Sequence, residues 1–413
     1  MRSAEIVAIG SELLGATRVD TNSLWLTERL NDIGIEVMLK TVVGDDGERL
    51  QEALTDALRR SDLVITTGGL GPTEDDITRK YSAAAVKGEL VYHDEIETNL
   101  RERFKAWGRE MPEINKRQAF VIDGSTILPN PNGSAVGMLY ENDGKMLVVL
   151  PGPPRENQPM FLDHVYSILK QRAGDFYTYR RILKVSGMGE SAVDEIAAPI
   201  YSSYDGVQTS ILFNKSEVEL HIAARADSQN AALTLTNDVA GKLAAALGDA
   251  VFSTNGETME QVVGRMLTER GETLSLAESC TGGLVARRIT EVAGSSRYFV
   301  EGAVTYANEA KVRSLGVDPE ILANYGAVSA ECAEAMARGI RERSGTDHAI
   351  SVTGIAGPDG GTAEKPVGTV FIGYSSAAVT RSIKLTLPGD RYLIRWRTSQ
   401  AAMDYLRRQM SRS

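Results

Sequence analysis

Cysteine, histidine and long apolar runs are scarce in this 413-residue chain. It contains two cysteines, Cys280 and Cys332, and four scattered histidines. Two cysteines so far apart indicate neither a disulfide framework nor a zinc site, and the histidine spacing argues against a His-based metal centre. No run of about 18 apolar residues is present, so we expect no transmembrane helix. The first residues lack the apolar segment of a signal peptide, which predicts a cytoplasmic protein with no membrane partner.

Positive charge is also in short supply. The chain carries 45 Lys and Arg against 55 Asp and Glu, a formal net charge of -10. Nucleic-acid binding needs clustered cations, so this diffuse acidity argues against nucleic acid as a direct partner. A few local donors can still hold a small phosphorylated ligand. At roughly 100–200 residues per domain, the length predicts two to four domains, each with its own core.

Three segments of different pattern follow one another along the chain. Residues 1–172 alternate short apolar runs with helical patterns, which predicts a doubly wound α/β domain whose parallel sheet is covered on both faces. Within it, Asp45 and Glu48 have the spacing of a capping box at a helix start. Residues 173–254 follow the order βαββαβ, a small α+β domain that we interpret as a linker or dimerisation module. Residues 255–413 predict a second α/β domain.

Three loops rich in glycine and proline indicate a ligand site in the first segment. "TTGGLGPTEDD" ends a buried strand, and "LPNPNGSAVG" and "LPGPPRE" follow later. Glycines let backbone amides approach a phosphate, and the adjacent Asp75 and Asp76 favour a bridging cation such as Mg²⁺. One such loop more often merely joins a strand to a helix, with an aspartate as the N-cap. Three of them in one domain favour a ligand site.

A serine and a lysine without a nearby histidine distinguish the third segment. Ser296 and Lys311 lie in "AGSSRYFVEGAVTYANEAK". A serine needs a base to become a nucleophile, and a lysine can be that base once its pKa is lowered. The ordinary alternatives are a turn for Ser296 and a solvated surface position for Lys311. Ser279 in "AESCTGG" is a rival nucleophile between a strand and a helix, a position that could also lower the pKa of Cys280.

Taken together, these motifs resemble the competence/damage-inducible protein (CinA) family along the whole chain. "VAIGSELL", "TTGGLGPTEDD" and "PGPPRE" are similar to its N-terminal domain, which is itself similar to molybdopterin-binding domains. The loops "AESCTGG", "TYANEAK" and "TGIAGPDGG" are similar to its C-terminal domain. The resemblance implies that the first domain hydrolyses ADP-ribose to AMP and ribose 5-phosphate with a divalent metal. It implies that the last domain deamidates nicotinamide mononucleotide without a cofactor, and that the chain forms a homodimer.

The resemblance also assigns roles to particular residues. In the amidase it implies Ser296 as nucleophile, Lys311 as base and Tyr306 as an assisting hydroxyl. The residues that it implies for substrate binding or oxyanion stabilisation are Ser279, Thr281, Gly282, Thr353, Gly354 and Arg391. Those implied for nucleotide binding in the first domain are Ser11, Glu12, Asn22, Gly68, Gly69, Thr73, Asn132, Gly133, Pro153 and Glu156. The predicted metal ligands are Asp75 and Asp76, with Asp45.

Two alternatives stay open. The first domain could bind a pterin or a nucleotide without turning it over. The chain could also be an interaction protein in competence or the DNA-damage response. A purely interacting protein would leave the Gly-rich polar loops of both end domains unexplained.

Overall fold

The computed structural model describes residues 1–174 and 177–411. These residues form two compact units, Met1–Tyr179 with Arg225–Ala232, and Arg180–Ala224 with Leu233–Ser413. Within the described residues, no helix combines the length and the apolar sequence that a membrane span needs.

A six-stranded sheet forms the centre of the first unit. Its strands are β1 (Ser3–Ile9), β2 (Glu36–Val43), β3 (Leu63–Thr67), β6 (Thr126–Leu128), β7 (Gly137–Asn142) and β8 (Lys145–Leu150). The order is β2-β1-β3-β8-β7-β6, while β4 (Leu90–Tyr92) and β5 (Phe120–Ile122) pair separately. The helices are α1 (Thr21–Asp32), α2 (Gly47–Arg60), α3 (Thr78–Ala85), α4 (Asp94–Ala106), α5 (Pro154–Met160) and α6 (Tyr166–Arg172).

Helices cover both faces of this sheet, as the alternating pattern predicts. On β1, Ile6 belongs to one buried cluster with Leu26 of α1, while Val7 belongs to another with Leu54 of α2. The predicted parallel sheet is confirmed for β2, β1, β3 and β8, and at one edge it continues with β7 and β6 in antiparallel pairing. The reason is the turn between β7 and β8: Asp143 and Gly144 have φ 48° and 76°. Two successive positive φ values are typical of a tight hairpin.

The predicted capping box does not form, because the N-cap of α2 lies one residue later than expected. Asp46, not Asp45, caps α2, and its side chain accepts the backbone N–H of Arg49 at 3.1 Å. Asp45 instead accepts the backbone N–H of Ser11 at 3.0 Å. It therefore joins two loops at the carboxyl ends of β1 and β2.

The middle segment has the predicted βαββαβ order. Its elements are β9 (Tyr177–Ser186), α7 (Glu190–Tyr201), β10 (Val207–Asn214), β11 (Glu217–Ala226), α8 (Gln229–Leu247) and β12 (Val251–Ser253). The strands are arranged β10-β11-β9-β12. This is the arrangement expected when two βαβ units interlock in one sheet.

The last segment builds a five-stranded sheet in the order β14-β13-β15-β16-β17. Its strands are β13 (Leu274–Glu278), β14 (Phe299–Val304), β15 (His348–Gly354), β16 (Thr369–Ser376) and β17 (Thr380–Thr386). Its helices are α9 (Met259–Arg270), α10 (Leu284–Thr290), α11 (Asn308–Leu315), α12 (Pro319–Asn324), α13 (Ala330–Ser344) and α14 (Arg391–Met410). The first three strands are parallel, so the loops after β13, β14 and β15 meet at one edge.

A buried polar network connects α14 to the middle segment. Arg288 donates to Glu260 at 2.9 Å and to Gln400 at 2.6 Å. Gln400 in turn donates to Glu217 at 3.0 Å, and Glu217 accepts from Lys184, also at 3.0 Å. Sequence reasoning found no convergent polar motif in the middle segment. The predicted boundary after residue 254 lies inside this compact unit.

Candidate active sites

Lys311 is a buried lysine that contacts a serine hydroxyl. Its side chain lies in the first turn of α11 and is 1% exposed. The Nζ donates to Ser279 Oγ at 3.3 Å, to Thr305 O at 2.9 Å and to Tyr306 O at 3.2 Å. Among the described residues it forms no ion pair, and burial lowers the pKa of Lys311. A neutral amine beside a hydroxyl is the arrangement that a lysine base requires.

Strand direction explains how this contact forms. β13 and β14 are parallel neighbours, and Ser279 follows the end of β13 while Thr305 follows the end of β14. The backbone N–H of Thr305 donates to Glu278 O at 2.8 Å, which fixes the two ends side by side. The chain then turns at Ala307 into α11, whose first turn directs Lys311 back over this edge.

Ser296 lies at the opposite end of β14 from Thr305. It is exposed in the short turn Ser295–Arg297, directly before β14. β14 has six residues, and at about 3.3 Å each they place Ser296 about 20 Å from the Thr305 end. The structure therefore does not bring Ser296 to Lys311 within one chain, and it brings Ser279 there instead. The sequence alone does not place Ser279 beside Lys311, because it does not specify that β14 pairs in parallel with β13.

Tyr306 and Arg391 extend the site at the same edge. Tyr306 is 60% exposed, and its hydroxyl accepts from Arg391 Nη2 at 3.1 Å. Arg391 Nη1 donates to Gly357 O at 2.7 Å, so this guanidinium joins the loops after β14 and β15 to the start of α14. Both side chains thus lie at the strand ends where Lys311 meets Ser279.

Most of the other predicted substrate-binding residues make hydrogen bonds or packing contacts within the domain itself. The Thr353 hydroxyl donates to Ala327 O at 2.7 Å, and the Gly282 N–H donates to Ser279 O at 3.0 Å. A Cβ on Gly354 would lie 2.8 Å from Thr369 O, so this position must be glycine for packing reasons. Thr281 differs, since its hydroxyl is buried without a partner among the described residues.

Two residues that the sequence analysis did not select hold the serine loop. The Glu278 carboxylate accepts the backbone N–H groups of Val285 at 3.1 Å and Ala286 at 2.8 Å, at the start of α10. Arg395 donates to Thr281 O at 2.6 Å. The acidic residue just ahead of a Gly-rich helix start was the available signal for Glu278.

Cys280 does not have the low pKa that its place before a helix suggests. The side chain is only 6% exposed, and burial raises the pKa of the Cys280 thiol to about 12. The thiol is therefore protonated at neutral pH and is a packing group rather than a nucleophile.

A cavity of about 640 Å³ lies in the first unit, and all three predicted loops contribute to it. The predicted residues that line it are Glu12, Asn22, Gly68, Gly69, Asp76, Pro153 and Glu156. The predicted residues outside the lining are Ser11, Asp45, Thr73, Asp75, Asn132 and Gly133. Sequence reasoning missed Arg18, Gln118 and Ser134, which also line the cavity.

Glycine is required at two points of this cavity. Gly68 has φ +109°, and a Cβ there would lie 2.2 Å from the backbone oxygen of Ile9. At Gly133 a Cβ would lie 1.8 Å from Glu156 Oε2, which is also the oxygen that accepts from Asn130 at 2.9 Å. Gly68 thus lets the first loop pack against the end of β1, and Gly133 lets the second loop pack against the third.

The predicted metal ligands do not converge. Asp76 Oδ1 accepts the Gly71 N–H at 2.7 Å, and Oδ2 accepts the Thr73 N–H at 2.9 Å, so this carboxylate closes its own loop. Asp45 is bonded to Ser11, and Asp75 is exposed. No group of three or more His, Cys, Asp or Glu side chains is placed to hold a metal in residues 1–174 and 177–411. The three predicted carboxylates therefore do not fit a single ion.

Buried amide and guanidinium groups support the cavity wall from behind. Asn22 and Asn157 both donate to Thr67 Oγ1, at 2.9 and 3.0 Å, and the side-chain oxygens of both asparagines are buried without a partner among the described residues. Arg79 donates to Gly71 O at 3.1 Å and to Leu70 O, and burial lowers the pKa of Arg79 to about 10. Of Asn22, Asn157 and Arg79, the sequence analysis selected only Asn22.

The fold and sites define a multidomain α/β protein that combines a molybdopterin-binding-like domain, a small βαββαβ domain and a second α/β domain. Three family models match the chain: the probable molybdopterin binding domain over residues 5–171, the damage-inducible protein CinA KH domain over 180–253 and the CinA C-terminal domain over 256–410. The chain belongs to the CinA family.

Similar proteins match over almost the full length. A CinA-like protein of Solibacter usitatus is 45% identical and covers 99% of this chain and 98% of its own. A CinA-like protein of Kosmotoga olearia is 42% identical and covers 98% of both chains. The crystal structure of the competence/damage inducible protein CihA from Agrobacterium tumefaciens is 42% identical over 36% of this chain and 94% of its own, with a TM-score of 0.35.

Proposed function

We propose that the last domain is a serine amidase in which Ser279 is the nucleophile and Lys311 is the general base. The observation that carries this proposal is the 3.3 Å contact between Lys311 Nζ and Ser279 Oγ, made by a buried lysine that forms no ion pair within the described chain. Family membership supports a role of the hydrolase type. The proposed substrate is nicotinamide mononucleotide, as the sequence resemblance implies.

The reaction follows from these positions. Neutral Lys311 takes the proton of Ser279 while Oγ attacks the carboxamide carbon. The tetrahedral adduct then collapses, the C–N bond breaks, and the Lys311 ammonium returns the proton to the departing ammonia. Water, deprotonated by the same amine, attacks the acyl-serine ester, the ester C–O bond breaks, and the Lys311 ammonium returns the proton to Ser279 Oγ while the product acid leaves and ionises to the carboxylate. The carbonyls of Thr305 and Tyr306 hold Nζ in place through both steps.

The surroundings of this pair suit an anionic substrate. Arg391 lies 3.1 Å from the exposed Tyr306 hydroxyl, on the open side of the site. A guanidinium can hold a phosphate through two parallel hydrogen bonds. The phosphate of a nucleotide would thus be held apart from the buried amine that reacts.

A trapping experiment tests the choice of nucleophile. The protein is mixed with nicotinamide mononucleotide, quenched rapidly, and examined by intact mass and peptide mapping. We expect an acyl adduct on the peptide that contains Ser279. An adduct on the peptide that contains Ser296 would overturn the assignment.

Substitutions provide a second test. Ser279→Ala removes the attacking oxygen and Lys311→Met removes the base, and if the pair acts as a unit the double variant should be about as inactive as either single one. The matched controls are Ser314→Ala on the same helix as Lys311, and Lys384→Met on β17. Losses that multiply in the double variant would mean that the two residues act independently.

For the first unit we propose hydrolysis of ADP-ribose at the 640 Å³ cavity. The Gly68–Gly71 loop and Arg18 support binding of a pyrophosphate, because backbone amides and a guanidinium are phosphate donors. A divalent cation, if used, would be held mainly by the substrate phosphates, since the predicted carboxylates do not converge.

The products decide between turnover and binding. Incubation with ADP-ribose and Mg²⁺ should yield AMP and ribose 5-phosphate, and EDTA should abolish that yield. Saturable binding with no products would favour the alternative of a nucleotide- or pterin-binding domain. The amidase should be unaffected by EDTA, because its proposed chemistry needs only Ser279 and Lys311.

A further inference from the structure

Thr78, the first residue of α3, holds two carbonyl groups of the loop that follows β3. Its hydroxyl donates to Gly68 O at 2.8 Å, and its backbone N–H donates to Gly69 O at 3.2 Å. Thr78 is fully buried. The approach is close, because a Cβ on Gly69 would lie 2.2 Å from Thr78 Oγ1. Glycine at position 69 therefore lets this hydroxyl reach the loop backbone.

These two contacts fix the direction of two backbone N–H groups. In a planar trans peptide, the C=O of one residue and the N–H of the next point in opposite directions. Because the carbonyls of residues 68 and 69 point to Thr78, the N–H groups of Gly69 and Leu70 point away from it. Neither N–H has a partner in the part of the chain that the structure describes. Both residues line the 640 Å³ cavity, so a ligand in the cavity can use these two donors.

Arg79 adds a buried positive charge behind the same loop. It is 5% exposed and donates to the carbonyls of the next two loop residues. With a pKa of about 10, its guanidinium is charged at neutral pH. The described lining of the cavity is otherwise acidic, with one guanidinium, that of Arg18, against the carboxylates of Glu12, Asp20, Asp76 and Glu156. A phosphate in this cavity needs a cation to offset these carboxylates, and Arg79 supplies one.

We propose that Thr78 is a positioning residue of this cavity: by holding two loop carbonyls, it directs the N–H groups of Gly69 and Leu70 to a phosphate group of the bound ligand. Successive backbone N–H groups form a common anion-binding arrangement. The Thr78 hydroxyl acts through the loop and does not touch the phosphate, since its proton is given to Gly68 O. The inference rests on the proposed function in so far as the cavity takes a phosphate-bearing ligand, and it does not require hydrolysis of that ligand.

One amide signal reports this contact directly. The dipeptide Gly-Leu occurs twice in the chain, at Gly69–Leu70 and Gly283–Leu284. Full-length protein that carries carbonyl-¹³C glycine and ¹⁵N leucine therefore gives two signals in a carbonyl-filtered NMR spectrum. The protein is titrated with inorganic pyrophosphate, and separately with ADP-ribose, both in EDTA. The Leu70 amide proton should shift saturably as it donates to a charged oxygen.

Substitutions of Thr78 test the positioning role. Thr78→Val removes the hydroxyl, so the Kd for pyrophosphate read at Leu70 should rise about tenfold or more, because one N–H is no longer aimed at a charged oxygen. Thr78→Ser keeps the hydroxyl and should bind nearly as the wild type does. Thr55→Val is the matched control, since the Thr55 hydroxyl donates to Gln51 O within α2. Any response of Leu284, in the other compact unit, should be the same in all variants.

A purely structural role of the hydroxyl predicts a different result. In that case Thr78→Val would lower the Tm and leave the Kd of the folded protein unchanged, which would overturn the inference. A wild-type Leu70 signal that responds to neither ligand would overturn it as well. Thr78→Ala decides the matter if Thr78→Val does not fold, because it places no methyl group against Gly68 O.

The same measurements separate this inference from the proposed hydrolysis. A Leu70 shift that depends on Thr78, in a protein that forms no AMP from ADP-ribose with Mg²⁺, would refute the hydrolysis and leave the positioning role standing. Formation of AMP by a protein whose Leu70 signal responds to neither ligand would do the reverse.

Discussion

Burial of the Lys311 side chain destabilises the folded domain, and the proposed chemistry requires that burial because it lowers the pKa of the base. The Lys311 amine is 1% exposed and forms no ion pair in the described chain, so its ammonium form loses a proton more easily than it would in water. Because the pKa is lower in the folded than in the unfolded chain, the unfolded chain binds the proton more tightly. The penalty is therefore full below the lowered pKa of Lys311, shrinks as the pH rises above that pKa, and disappears as the pH approaches the ordinary value of 10.5.

Lys311→Met should accordingly inactivate the amidase and stabilise the domain. We expect a rate loss of about 10²–10⁴-fold, the usual contribution of a positioned base. We expect a higher Tm at pH 7, by about 2–4 °C for each kcal/mol of relief in a domain of this size, and a smaller gain near pH 10. Calorimetry at the two pH values measures the change in Tm, with Lys384→Met as the control. A Tm that falls equally at both pH values would show that the methylene packing, not the charge, dominates.

The rate should depend on pH through the same group. Since the neutral amine is the base, kcat/KM should rise with pH as Lys311 loses its proton, and the midpoint should lie below 10.5 because burial lowers its pKa. Steady-state kinetics between about pH 6 and pH 10 measure the profile, a range that ends just below the ordinary pKa of lysine. A profile that falls over this range would indicate that the charged lysine is the active form, as a phosphate anchor would be.

At the level of single residues, the sequence indicates Lys311, the proposed base, but not its contact with Ser279. Lys311 is recognisable from its motif, and its importance depends on burial that the motif does not reveal. Ser279 and Lys311 are 32 residues apart, and only the parallel pairing of β13 with β14 brings them together. The pKa of Cys280 was misjudged for a similar reason, because burial outweighs the effect of a helix start.

Among the structural elements, the loop after β3 depends on a glycine conformation that no other residue adopts easily. Gly68→Ala should destabilise the first unit by at least about 1 kcal/mol and weaken binding of ADP-ribose, because φ is +109° and the Cβ would meet a backbone oxygen at 2.2 Å. Gly15→Ala is the matched control, since Gly15 has φ -81° and its Cβ would have ordinary contacts at 3.4 Å. Calorimetry and titration with ADP-ribose measure both effects. Equal behaviour of the two variants would contradict this account.

Most helices and strands could be predicted from hydrophobic periodicity, whereas their pairing could not. The β7–β8 hairpin contains an Asp143–Gly144 turn signal that periodicity alone overlooks. The cap of α2 falls on Asp46 rather than Asp45, because Asp45 is used by Ser11 in another loop. At α2 a contact with a distant loop decides between two suitable aspartates, whereas at the hairpin a local turn decides the direction of the strand.

On the scale of the molecule, the polar network around Gln400 determines where the chain can be divided. The sequence suggests that a fragment beginning near Ser253 folds alone and keeps the amidase. In the structure, however, Gln400 is 2% exposed and donates to Glu217 of the middle segment, and Arg407 donates to Asp249 O at 2.6 Å. A cut at Ser253 leaves these groups without their partners.

We therefore expect residues 180–413 to be a more stable fragment than residues 254–413. Both contain Ser279 and Lys311, so both should keep amidase activity, but the shorter one should have the lower Tm. Each buried group left unpaired costs about 1–3 kcal/mol, less where water can replace the partner. Thermal unfolding followed by circular dichroism compares the two Tm values.

Glu217→Gln in the longer fragment is the matched variant. It keeps an acceptor for Gln400 and removes the charge that pairs with Lys184, so its Tm should fall less than the truncation lowers it. Equal Tm values for the two fragments would mean that α14 gains nothing from the middle segment, and that the boundary near Ser253 is as good as the sequence suggests.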